Sequence, residues 1–144
     1  MNNYKCNLMA TKIFVNLPVK DLSRSVEFFT KLGYSFNPKF TSESGTCMII
    51  SDAIFVMLLT EPFFKGFTKE DICDTAKYTE AIICLSANSR EEVDELVRKA
   101  QEAGATVPND KQDHGLMYGH GFKDLDGHIW ELSYMDESAI PEQA

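Results

Sequence analysis

Hydrophobic and polar positions along this chain follow two rhythms, and the rhythms appear in the same order twice. Over 11–19, Ile13, Val15, Leu17 and Val19 alternate with Phe14 and Asn16, which predicts a buried strand whose end or edge is marked by Pro18. Asp21 suits a helix N-cap. Leu22, Val26, Phe29 and Leu32 then recur at helical spacing, and Gly33 supplies the stop. Three strand-like runs follow at 34–40, 46–51 and 54–60, with turn residues at 42–45 and 51–52 between them. The second half repeats this order, starting with a strand at 79–87. Ser89-Arg90-Glu91-Glu92 has the spacing of a capping box, Val93, Leu96, Val97 and Ala100 make the apolar stripe, and Gly104 ends the helix. Further strands are predicted at 105–108, 115–123 and 128–135.

This repetition predicts an α+β fold of two tandem βαβββ modules. Each half-sheet is too small to bury its own face, so the modules are expected to pair in one domain. The expected boundaries are a tail at 1–10, a single domain at 11–135 and a tail at 136–144; module one covers 11–60, a linker 61–77 and module two 78–135. The linker breaks both rhythms. It carries Pro62, then Phe63, Phe64 and Phe67, then Thr68-Lys69-Glu70-Asp71, which reads as a helix start. Its aromatics are either a lid over a pocket or a plug in the core. Apolar loops usually pack down, which favours the plug.

Composition narrows the function classes. With 44% hydrophobic residues, the 144-residue chain has the material for a real core. A net charge of −8 argues against nucleic acid, whose phosphates need a basic face, and is compatible with a cationic ligand. Cys6, Cys47, Cys73 and Cys84 show no CxxC spacing, so they read as reduced thiols of a cytoplasmic protein. No apolar run approaches the ~20 residues of a membrane span, and the N-terminus lacks the apolar segment of a secretory signal.

Chemistry concentrates in the stretch from Phe122 to Leu132. Asp126-Gly127 is a strong turn signal. Beyond it, His128, Trp130, Leu132 and Tyr134 alternate onto one face, and Ile129, Glu131 and Ser133 onto the other. A lone carboxylate in an apolar strand is costly to bury without a partner or a cation, so Glu131 is the residue whose placement needs explaining. Trp130, facing away from it, is expected to pack between sheet and helix.

The run Asp124-Leu125-Asp126-Gly127-His128-Ile129-Trp130-Glu131-Leu132 resembles the closing segment of the glyoxalase / bleomycin-resistance / extradiol-dioxygenase superfamily, the vicinal oxygen chelate fold. The run from Phe14 through Leu17-Pro18-Val19-Lys20-Asp21 to Phe28-Phe29 resembles its opening, and together they span 11–135. The resemblance implies a curved mixed sheet around a cleft, a homodimer and a small-molecule ligand or substrate. In metal-using members it implies four inward His, Glu or Gln ligands, one from the first and one from the last strand of each module. Such a divalent metal polarises vicinal oxygens of the substrate. Carried onto this chain, those positions fall at Phe14, Met57, Glu80 and Glu131. A phenyl ring and a thioether do not hold a hard or borderline ion, so the metal site is incomplete. Glu131 and Glu80 remain as acid/base groups or partial metal ligands, although Glu80 also reads as a solvated strand end beside Lys77. Asn16, on the Phe14 side, and His120, in Gly119-His120-Gly121, are candidate substitutes. For His120 a partly exposed histidine in a glycine-rich strand is the favoured reading. His114 and His128 read as structural or surface residues. Phe63 and Phe67 complete the candidate ligand cleft.

Three function classes follow. One is a lyase, isomerase or dioxygenase-like enzyme of the lactoylglutathione lyase kind, acting through Glu131 and Glu80. The second is a metal-free binding protein of the bleomycin-resistance type, which sequesters a cationic drug in an apolar, aromatic-walled cleft. The third is an inert relic of the fold with a structural or regulatory role. No nucleic-acid or membrane partner is expected.

Overall fold

The computed structural model describes residues 11–139. The expected tail at 1–10, with Cys6, and the last part of the C-terminal tail lie outside the described residues. The chain divides into two compact units, the first ending at Ile72 and the second beginning at Cys73.

The first unit runs β1 (Ile13–Val19), α1 (Leu22–Lys31), β2 (Ser35–Asn37), a 3-10 turn (Pro38–Phe40), β3 (Gly45–Ile49), β4 (Ile54–Thr60) and α2 (Glu61–Phe64), which continues into a second 3-10 turn (Lys65–Phe67). Its sheet has the order β1-β4-β3-β2, with β1 parallel to β4 and the other pairs antiparallel. Asp21 starts α1 by accepting from the Arg24 N–H at 3.1 Å. The helix buries Ser25, Phe28 and Phe29, and Leu17, Val19, Val56 and Leu58 alternate as buried positions on the two parallel strands. Each such large apolar side chain contributes about 1.5–3 kcal/mol by leaving water.

The second unit repeats the plan: β5 (Ile82–Ser86), α3 (Arg90–Glu102), β6 (Gln112–Asp113), β7 (Met117–Lys123), β8 (Ile129–Met135) and a closing 3-10 turn (Glu137–Ala139). Its sheet order is β5-β8-β7-β6, again with the first pair parallel. The βαβββ module is therefore present twice, and the fold class is α+β. Equivalent helix ends carry Gly33 at φ 104° and Gly104 at φ 112°, a backbone state that a Cβ disfavours.

The α3 cap is built one residue further out than the capping-box spacing implies. Ser89 Oγ accepts from the Glu92 N–H at 3.0 Å, but the Glu92 carboxylate accepts from the Asn88 N–H at 2.8 Å rather than from that of Ser89. Ser89→Ala removes the first of these bonds. The expected cost is about 1 kcal/mol, which for a chain of this size lowers the melting temperature by about 2–4 °C, read by differential scanning calorimetry.

Three expectations from the sequence are corrected. The helix start at Thr68 is not realised; the helical turns lie at Glu61–Phe64 and Lys65–Phe67, with Pro62 in the first turn, where its missing N–H is no loss. The strand at 105–108 shrinks to a bridge between Thr106 and Lys123, because Pro108 has no N–H to continue the ladder, and the edge strand forms at Gln112–Asp113 instead. Phe63 and Phe67 do not plug a core: they are 45% and 71% exposed and meet edge to face at 5.3 Å. Among the described residues no helix is long and apolar enough to cross a membrane.

Candidate functional site

Strand register decides which side chains share a face. In the second unit Ile82 lies opposite Ile129, Cys84 opposite Glu131 and Ser86 opposite Ser133. On the other side of β8, Gly121 lies opposite Glu131, Gly119 opposite Ser133 and Lys123 opposite Ile129. These residues alternate with Trp130, Leu132, Tyr118 and Phe122, which are buried on the α3 side. Glu131 therefore sits at the centre of the face turned away from α3, and it is exposed. The cost of burying a lone carboxylate, which singled it out in the sequence, does not arise.

The floor beside Glu131 is bare backbone. A Cβ on Gly121 would lie 2.4 Å from the Trp130 carbonyl oxygen and 3.1 Å from Glu131 Cγ, so only glycine fits between those strands. Above this floor is a depression of about 600 Å³ lined by Cys84, Lys123, Ile129, Glu131 and Ser133, with the loop that carries Asn109 and His114 as its rim. Partial burial, and then the Glu131 carboxylate, push the Cys84 thiol above the usual range, so it stands as a neutral thiol.

The rim is pinned from outside. Arg90, at the start of α3, donates to the Asp113 carboxylate at 2.8 Å and to the Gly115 carbonyl at 2.6 Å, and its guanidinium lies 5.0 Å from the Tyr118 ring centre. The Arg90 hydrogen bond holds the Asp113 carboxyl below the usual range. Tyr118 in turn donates to Asp94 of α3 at 2.5 Å.

Of the residues singled out in the sequence, Glu131 alone occupies the centre of this face. Glu80 is corrected: it lies in the exposed coil before β5, not on the strand. Counting back from the helix caps explains the error. Phe14 stands seven residues before the Asp21 cap, and the residue seven before the Ser89 cap is Ile82, two positions past Glu80. His120 lines the depression from beside the rim. It lies opposite Leu132 and so alternates away from Glu131, and its Nε2 is 2.8 Å from the Asn109 carbonyl at the rim. Cys84 was missed as the register partner of Glu131; the signal was the shared distance of Asn16 and Cys84 from their helix caps.

In the first unit, Phe14 lies opposite Phe55 and Asn16 opposite Met57, all on the face away from α1. The Phe14 and Phe55 rings stack at 5.0 Å, and Asn16 Nδ2 donates to the Phe14 carbonyl. Phe63 and Phe67 lie on the helical turns after β4.

The buried carboxylate of the second unit is Asp124, not Glu131. Its Oδ1 accepts from the Asp126 N–H at 2.9 Å and the His128 N–H at 3.0 Å, and its Oδ2 from the Trp130 indole N–H at 2.9 Å. Burial pushes the Asp124 carboxyl above the usual range, against these three donors and nearby His128. Trp130 packs on the helix side, as its alternation from Glu131 requires.

The fold implies a divalent metal, and the residues do not fit one. Among the described residues no three His, Cys, Asp or Glu side chains converge on one point. On the face around Glu131 the neighbouring positions are a neutral thiol, two glycines, two isoleucines, Lys123 and the serines Ser86 and Ser133, which leave a hard ion one carboxylate and no imidazole.

A family model for the bleomycin resistance protein-like N-terminal region matches residues 11–51. A hypothetical protein, SA1046 from Staphylococcus aureus, is 31% identical over 92% of this chain and 99% of its own, with a TM-score of 0.73. A glyoxalase/bleomycin resistance protein/dioxygenase family enzyme from Burkholderia phytofirmans is 15% identical over 88% of this chain and 99% of its own, with a TM-score of 0.72. The fosfomycin resistance protein FosX from Listeria monocytogenes is 19% identical over 91% and 98%, with a TM-score of 0.64, a likeness of fold alone. Curated proteins give no significant match.

Proposed function

This chain belongs to the glyoxalase / bleomycin-resistance / dioxygenase superfamily of vicinal oxygen chelate folds, and we propose that within it the protein binds a small organic cation at Glu131 without a protein-held divalent metal. One observation carries this reading: Glu131 stands exposed at the centre of a sheet face, over a glycine floor that lets a ligand approach the backbone, in a depression of about 600 Å³. That volume is in the range of small-molecule sites. A carboxylate beside apolar Ile82 and Ile129 suits an amine or amidine on a hydrocarbon body. The net charge of −8 draws such a ligand in.

The alternative of an enzyme uses the same carboxylate as a proton acceptor. It is favoured by the neutral Cys84 thiol opposite Glu131, which adds no competing charge. Glu80 has no part in either reading. Phe14, Asn16 and Met57 are proposed as a second ligand-facing surface in the first unit, where the stacked Phe14 and Phe55 rings offer an apolar wall.

The test is a calorimetric titration of chelator-treated protein, first with nickel, zinc and manganese and then with a panel of aromatic amines. The expected result is no tight metal binding and amine binding that weakens about tenfold in Glu131→Gln, the effect of losing one partly enclosed charge contact. One tightly held ion per chain, lost in Glu131→Ala, would overturn the metal-free reading. Amine binding unchanged in Glu131→Gln would remove Glu131 from the site.

A further inference from the structure

We infer that the ligand of the Glu131 depression is a zwitterion: its cationic group faces Glu131 and its carboxylate faces Lys123. This inference rests on the assignment of Glu131 as the cation contact and adds the second pole.

The placement of Lys123 follows from register. Gly121 is opposite Glu131, and Lys123, two residues further along β7, is opposite Ile129. Lys123 and Glu131 are thus diagonal neighbours on adjacent strands and on the same face, with Cβ atoms on the order of 7 Å apart. Both line the same depression. Their charges are opposite, yet among the described residues neither makes an ion pair, with the other or with any third residue. Three other cations of this unit are tied to carboxylates: Arg90 to Asp113, Arg98 to Glu95 and Glu102, and Lys111 to Asp94. The charged side chains that line the cavity without an ion pair are Lys123, Glu131 and, on the rim loop, Asp110; of these Lys123 and Glu131 share the sheet face.

The ground between them is chemically suited to a short hydrocarbon spacer. Gly121 contributes no side chain, so a methylene chain can lie on the backbone between the two poles, with Ile129 beside it. An oriented pair of charges binds a ligand of matching separation better than either charge binds a half-ligand, because the second contact forms without further loss of translational freedom. A ligand bearing only a cation would leave Lys123 repelling it, which adds discrimination.

The experiment uses three probes of one length on the full chain: ε-aminocaproate, hexylamine and caproate. Binding is followed by amide chemical-shift changes, with Gly119 and Gly121 as reporters of the floor. The expected result is that ε-aminocaproate binds at least about tenfold more tightly than either half-probe. Lys123→Met should bring its affinity down to that of hexylamine on the same variant, and Glu131→Gln to that of caproate. Both residues lie on the sheet face turned away from α3, and unchanged amide spectra away from β7 and β8 verify that the variants fold. Hexylamine binding as tightly as ε-aminocaproate, with dependence on Glu131 alone, overturns the zwitterion and leaves the cation site standing. ε-Aminocaproate binding that ignores Lys123→Met also overturns it. No perturbation of the floor by any probe at millimolar concentration overturns both the zwitterion and the cation reading.

Discussion

Asp124→Ala is expected to destabilise the protein by about 3–5 kcal/mol, the range for removing one partner of a buried charged network. The carboxylate accepts three N–H bonds within a buried turn, and alanine leaves the Asp126 and His128 amides and the Trp130 indole without their acceptor. Trp130 is the single tryptophan, so urea unfolding followed by its fluorescence reads the site directly, and the native spectrum should shift to the red in the variant. Asp124→Asn should cost less. Its oxygen still serves the two backbone amides, and only the indole N–H meets a donor instead of an acceptor. A loss below about 1 kcal/mol in the alanine variant would show that the turn finds other acceptors. The sign of the pH effect follows from burial. The native state holds the Asp124 proton where the unfolded chain has released it, so this group's contribution is full below about 3.9 and is lost as pH rises through the higher folded value. A carboxyl-carbon NMR titration of Asp124 with a midpoint at or below the peptide value would reverse that sign.

Gly121→Ala is expected to cost about 3 kcal/mol, at the upper end for inserting a methyl into packed structure. The added carbon meets the Trp130 carbonyl oxygen at 2.4 Å, and the neighbour that must move is backbone of the central strand pair. Gly119→Ala is the matched control. Its Cβ meets the Leu132 carbonyl oxygen at 3.4 Å, an ordinary contact, so its stability should stay within about 0.5 kcal/mol of the parent. Equal stabilities for the two variants in thermal unfolding would mean that β7 and β8 separate without cost. The same substitutions test the floor: Gly121→Ala also places a methyl beside Glu131, and ligand affinity should fall further than stability alone accounts for.

The two effects share a cause. Asp124 closes the hairpin between β7 and β8, and that closure sets Gly121 against Glu131. A slip of one residue in this pairing would turn Glu131 to the α3 side and Trp130 outward. The buried acid thus holds the register that keeps the exposed acid in the depression.

Much of the fold was legible in the sequence because its signals are local. Asp21 and Ser89 cap helices with their own side chains, and Gly33 and Gly104 end them with a backbone state few other residues adopt. Alternation alone put Trp130 and Leu132 on one side of β8 and Glu131 on the other. The order strand, helix, three strands, twice over, needed no partner strand to be known. Signals failed where two possibilities competed within a few residues. Thr68 read as the helix start, and the helical turn formed at Pro62 instead. The Ala105 run looked like a strand until Pro108 interrupted its ladder.

The site was decided by tertiary structure. Which of Asp124 and Glu131 is buried depends on three N–H groups converging on one carboxylate, and no spacing rule counts donors across a folded turn. Whether Cys84 or Glu80 stands by Glu131 depends on the parallel register of two strands separated by a helix and two other strands. Pairing fixes that register, and each residue's own preferences leave it open. His120 lines the depression from off the Glu131 face for the same reason, since its face is set by which β8 residue it meets. Sequence determined which residues alternate together; only the pairing of strands determined which of them meet across a face, because hydrogen-bond register is a property of two segments at once.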